Sequence, residues 1–103
     1  MGTIAQSNAS SLSQSSLPAD MPGAIEAFCQ YLRGECGLAE NTYRAYRRDL
    51  FDFGAYLGEI GCRSLKEITP AKIDQYMQSS HAAGKNPSSI ARAIAAIRTF
   101  CRF

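Results

Sequence analysis

The stretch from Leu38 to Gly61 constrains the fold more than any other part of the chain. Its large apolar residues Tyr43, Tyr46, Leu50, Phe53 and Leu57 recur three or four apart, which lines them along one side of a helix and makes that side a core face. Arg44, Arg47 and Arg48 fall between them. At about 100° per residue they lie on the other side of the same cylinder, in its first half, so one helix carries both a packing face and a cationic face. Leu38 ahead of the helix and Tyr43 inside it have the spacing of a hydrophobic staple. Ala39 is a poor cap, so Asn41 or Thr42 is expected to supply a capping oxygen, which leaves the start of the helix open by a residue or two. Gly54 and Gly58 weaken the interior by roughly 1 kcal/mol each relative to Ala, implying that another backbone crosses closely there. Gly61 ends it.

The remaining segments read as helices too. Residues 1–20 are rich in Ser, Ala, Gln and Asn, and Ile4, Leu12 and Leu17 establish no period, so a disordered tail is expected. Its Met-Gly-Thr opening has the look of an expression scar, and the folded domain is placed at 21–103. Pro22 suits a first turn, and Ile25, Phe28, Cys29 and Leu32 predict a first helix from about Met21 to Glu35. Thr69-Pro70 is a start signal, with Thr as cap and Pro at the first helical position. Ile73, Tyr76 and Met77 carry that third helix to about His81, before a stop at Gly84. Ser88 or Ser89 is expected to cap the last helix, whose Ile90, Ile94, Ile97 and Cys101 form a continuous stripe. No segment alternates with period two for long enough to be a strand. The expected fold is all-helical, a compact bundle of four main helices.

Composition excludes several function classes. A chain of 103 residues has room for one small domain, and no apolar run approaches the roughly 18 residues a membrane span needs. A membrane role is not expected. No secretory leader is legible, so a cytoplasmic location is expected. The four cysteines, Cys29, Cys36, Cys62 and Cys101, form no C-x-x-C pair, and only His81 is present to join them, which argues against zinc. Each lies in or beside a helical pattern near apolar neighbours, as reduced cysteines do. His81, late in a polar turn, reads as a solvated residue rather than a base, and no cysteine has a histidine partner at a recognisable spacing. No catalytic residue is therefore assigned. There is no phosphate-cradling glycine loop, so neither a nucleotide cofactor nor any small-molecule substrate is expected.

What remains is basic. The formal net charge is only +2, but all eleven Lys and Arg lie after position 21. Asn41, Arg44, Arg47 and Arg48 gather in the first half of the long helix. Lys85, Ser88, Ser89 and Arg92 gather at the start of the last. Free backbone N–H groups and the positive dipole end of a helix start add to Arg and Ser side chains in binding phosphate, and two such helices packed together can straddle a duplex. The alternative is a solvated surface in which Arg44 or Arg48 pairs with Glu40 or Asp52 at i, i+4 spacing. Composition and spacing leave both readings open.

The residues Leu38-Ala39-Glu40-Asn41-Thr42-Tyr43-Arg44-Ala45-Tyr46-Arg47-Arg48-Asp49-Leu50, followed by Phe53 and Leu57, closely resemble the second helix of the N-terminal domain of tyrosine recombinases, the phage-integrase and Xer-like site-specific recombinases. Ile25, Phe28 and Leu32 resemble the first helix of that family, Leu65 to Ile73 its connector and third, and Pro87 to Phe100 its fourth. The resemblance covers about Pro22 to Phe103. It implies a SAM-like orthogonal four-helix bundle, a core-binding domain that forms one half of a clamp around a recombination site, with double-stranded DNA and other recombinase protomers as partners. The second and fourth helices then face the major groove. Asn41, Thr42, Arg44, Arg47 and Arg48, with Ser88, Ser89 and Arg92, fall on the DNA side, Arg47 and Arg92 being candidates for base contacts. The spacing of Thr42 to Tyr46 also fits a buried position. Ala39 stands where the family often has Ser. The resemblance further implies that the Arg, Lys, His, Arg and Tyr groups of catalysis belong to a C-terminal domain beyond Phe103, so that this chain binds without cleaving. A helical protein-interaction module is the rival reading, since bundles of this kind serve that role elsewhere.

Overall fold

The computed structural model describes residues 17–103. The tail expected over 1–20 therefore lies outside the described residues as far as position 16. Four helices follow: α1 (Met21–Gly34), α2 (Glu40–Glu59), α3 (Pro70–Ala82) and α4 (Pro87–Arg102), with a short 3-10 turn at Leu65–Glu67 between α2 and α3. Among the described residues there is no strand, and no helix is long and apolar enough to cross a membrane.

The core forms where the apolar stripes meet. Ile25 and Phe28 of α1, Leu50, Phe53 and Leu57 of α2, and Ile97 of α4 are all fully buried, each contributing about 1.5–3 kcal/mol by leaving water. α2 packs against both α1 and α4, and α3 packs against α4. Tyr76 also joins α3 to α2, with its ring 5.1 Å from both Phe53 and Tyr56. Leu38 and Tyr43 lie half-buried against the core on either side of the α2 start, where a staple places them.

Two helix ends explain themselves. At Gly61 the φ of +92° lets the Cys62 N–H reach back to the Leu57 carbonyl (2.9 Å) and the Gly61 N–H to Gly58 (3.1 Å). This is a Schellman closure with Cys62 and Leu57 buried together. Gly84 does the same for α3, φ +80°, with Lys85 bonded to Ser80 at 3.1 Å.

The structure corrects five expectations. Leu17 and Pro18, assigned to the tail, are buried, and Asp20 accepts from the Ser64 hydroxyl and the Leu65 N–H at 3.0 Å, so these residues are anchored to the helices that follow. What approaches Gly54 is not a crossing backbone but the Leu17 side chain: a Cβ there would lie 2.8 Å from its Cδ2 and 3.0 Å from the Met21 sulfur. α2 starts on Ala39 without any side-chain cap, so neither Asn41 nor Thr42 serves. α4 is capped by Asn86, whose side chain accepts from the Ser88 N–H at 2.8 Å, not by Ser88 or Ser89. Thr69 caps α3 as expected. All four cysteines are free, but Cys36 and Cys101 are exposed rather than packed.

Candidate nucleic-acid interface

The sequence gathers nine candidate contacts on α2, on α4 and in the turn before α4, and the structure sorts them by what already holds them. Asn41, Thr42, Arg44 and Arg48 are exposed, which settles the ambiguity of Thr42 against burial. Arg44 pairs with Glu40 one turn earlier at 2.6 Å, with its side chain 68% exposed. Such a solvated pair contributes little and yields readily to another anion. Arg48 has no carboxylate partner among the described residues, so the expected alternative pairing with Asp52 does not form.

Arg47 and Arg92, the two candidates for base contact, are both paired with a carboxylate of another helix. Arg47 leans to the α1 side, where its Nε and Nη2 donate to the Glu26 carboxylate and its guanidinium lies 4.8 Å from the centre of the Phe51 ring. The hydrogen bond from Arg47 holds the Glu26 carboxyl below the usual glutamate range. Arg92 turns to the other flank of α2. Its Nε donates to Asp49 Oδ2 at 2.8 Å and its Nη2 to Asp49 Oδ1 at 3.0 Å. The two ion pairs brace α2 from both sides, against α1 and against α4. Arg44 and Arg48 are left as the outward charges between them.

At the head of α4, Ser88 is exposed and Ser89 half-exposed. Pro87 has no N–H and the Ser88 N–H is taken by Asn86, so this helix start offers an anion fewer donors than an uncapped one. α2 is the better anion site: its first turn has no side-chain cap, although Glu40 sits in it. Lys85 is displaced from the rest, its ammonium 5.8 Å from the ring centre of Tyr76 on α3. Sequence reasoning missed two residues, one on this surface and one beneath it. Arg33, at the end of α1, lies 4.8 Å from the Tyr43 ring centre and adds a cation beside the α2 start. Asp49 carries the only detectable signal of a strut, an acid at a position in register with Tyr46 and Phe53 on the apolar stripe.

Among the described residues no group of three or more His, Cys, Asp or Glu is placed to hold a metal ion. The clefts are open and shallow, and the apolar one of ≈290 Å³ between Ala24, Leu65, Ile68, Phe100, Cys101 and Phe103 holds no convergent acid and base. Fold and surface together define a small all-α domain with a cationic helix edge.

Comparison with known families identifies the fold. The family described as "Phage integrase, N-terminal SAM-like domain" matches residues 25–103, and the chain belongs to that family. Among curated proteins it is similar to the tyrosine recombinase XerC of Pseudomonas putida strain KT2440, 34% identical over 83 residues, covering 81% of this chain and 28% of that protein. It is also similar to the tyrosine recombinase XerD of Chlorobaculum tepidum, 39% identical over 79 residues (77% of this chain, 26% of that protein). XerD of Staphylococcus haemolyticus is 36% identical over 83 residues, with 81% and 28% covered. The chain thus spans about a quarter of the length of the curated relatives it matches. No solved structure gives a significant match.

Proposed function

We propose that this domain binds double-stranded DNA as the core-binding part of a tyrosine recombinase. It grips the recombination site through α2 and the head of α4, while strand cleavage and rejoining are carried out by residues outside 1–103, in concert with other protomers. The observation that carries the reading is the outward face of α2. Asn41, Thr42, Arg44 and Arg48 stand exposed there beside an uncapped helix start, while Arg47 is paired with Glu26 of α1 and Arg92 of α4 with Asp49. Membership of the integrase N-terminal family supports it. In this reading Arg48 and Arg44 neutralise phosphates, Asn41 and Thr42 lie within reach of base edges, Ser88 and Ser89 contact the backbone, and Lys85 contributes only at the rim.

The test is a titration of a labelled duplex with the 103-residue chain over a range of salt. Binding is expected to be weak and to fall steeply with salt. Arg48→Ala is expected to reduce the slope of log K against log salt by about 0.9. Absence of binding at low salt, or an Arg48→Ala slope equal to wild type, contradicts the proposal.

The rival reading, a protein-interaction module, draws on one observation. Tyr31 and Phe103 are exposed with their rings 5.2 Å apart, forming an apolar edge beside the shallow clefts. It predicts self-association that is indifferent to salt.

A further inference from the structure

Asp49 is the polar group that the DNA-binding reading leaves unused. It lies on the packing side of α2 with its side chain only 9% exposed, and both of its oxygens are occupied by a single guanidinium, that of Arg92. The Tyr46 phenol lies near Arg92 and the Tyr76 phenol near Asp49, and among the described residues the salt-bridge partner of the Asp49 carboxylate is Arg92.

We infer that Asp49 is a positioning residue for the DNA-facing surface: it fixes Arg92 as a strut between α2 and α4 and cancels its charge, so that Arg92 sets the geometry of the helix pair without neutralising a phosphate. This rests on the duplex-binding reading above. Three physical points carry it. Handing Arg92 to a phosphate would strand a nearly buried carboxylate beside a polyanion, adding a desolvation penalty to like-charge repulsion. A pair with one partner this enclosed is screened by salt much less than the exposed Arg44–Glu40 pair. The two bonds from Nε and Nη2 hold α4 in both position and rotation, which a lysine ammonium, a point charge, does not reproduce.

The test compares salt slopes of duplex binding for the 103-residue wild type, Arg92→Lys, Asp49→Asn, the double variant Asp49→Asn/Arg92→Gln, and Arg48→Ala. The double variant has the net charge of wild type and a neutral hydrogen-bonded pair in place of the charged one. Its slope therefore reports only whether the Arg92 charge sits on DNA. The strut predicts an unchanged slope for the double variant. It predicts a slope steeper by about 0.9 for Asp49→Asn, where the Arg92 charge is released. Arg92→Lys, despite its retained charge, should weaken binding about tenfold. In the wild type, the Arg92 Nε–H resonance should keep its free-state shift when duplex is added, a readout independent of any variant's folding. A double-variant slope reduced by about 0.9, rescue of full affinity by Arg92→Lys, or a displaced Arg92 resonance overturns the strut alone. Absence of wild-type binding overturns the duplex reading and the strut with it.

Discussion

Four arginines on two helices look alike in the sequence and differ in the structure by their neighbours. Arg47 and Arg92 each meet a carboxylate from another helix, Arg44 meets one a turn away on its own helix, and Arg48 meets none among the described residues. The Glu26–Arg47 pair makes a prediction about acid stability. Its carboxyl is held below the ordinary value of 4.5, so its contribution is fully present above that pH and is lost as pH falls through the lowered folded value. Both partners are about half exposed, so Glu26→Gln should remove only about 0.5 kcal/mol at neutral pH and flatten the acid limb of a urea-denaturation series. An acid limb unchanged by Glu26→Gln contradicts this. The positions of the candidate residues were legible in the spacing of the sequence, but their engagements were not. Glu26 lies 21 residues from Arg47, and Asp49 lies 43 from Arg92. No local rule connects residues so far apart, and only the packing of α1 and α4 against α2 brings them together.

At the scale of the helix, the elements were legible wherever one stripe of apolar residues met a clear start or stop. The four helices fall within a residue or two of the periodicity, and Thr69 caps as its type predicts. The ends that depart from expectation are those where several polar residues compete. Asn86 wins over Ser88 and Ser89 because Pro87 occupies the first helical position and so puts the cap one residue earlier. The packing of Leu17 into the notch at Gly54 was illegible because an isolated leucine in a polar stretch has no period. α2, the longest helix at 20 residues, is left with an uncapped start at Ala39, whose backbone is already extended (φ −62°, ψ 149°) as a cap requires. Ala39→Ser should therefore stabilise the domain by about 1 kcal/mol, seen as a raised thermal midpoint with no change in fold. A lowered midpoint would mean that the start of α2 is held by something other than its own first turn.

The whole molecule is a bundle centred on α2, which touches every other helix and carries the proposed interface on the one face they leave open. Tyr76 reports on the integrity of that core. Burial, reinforced by the charge of Asp52, pushes its phenol up to about 12, with the Ser80 hydroxyl partly opposing the shift. A raised folded value gives stability that is intact below the ordinary tyrosine range near 10 and is lost as pH rises through about 12. Alkaline unfolding should accompany ionisation of this phenol, and Tyr76→Phe should remain folded to higher pH. Equal alkaline midpoints for the two proteins contradict the assignment. The duplex interface itself is tested most directly by mapping backbone amide shifts of the 103-residue chain during titration with duplex at low salt. Salt-reversible shifts are predicted, concentrated at residues 40–48 and 88–92, weaker at Lys85 and absent around Tyr31, Ile60 and Phe103. Shifts centred on the Tyr31–Phe103 edge, or none at all, would contradict it.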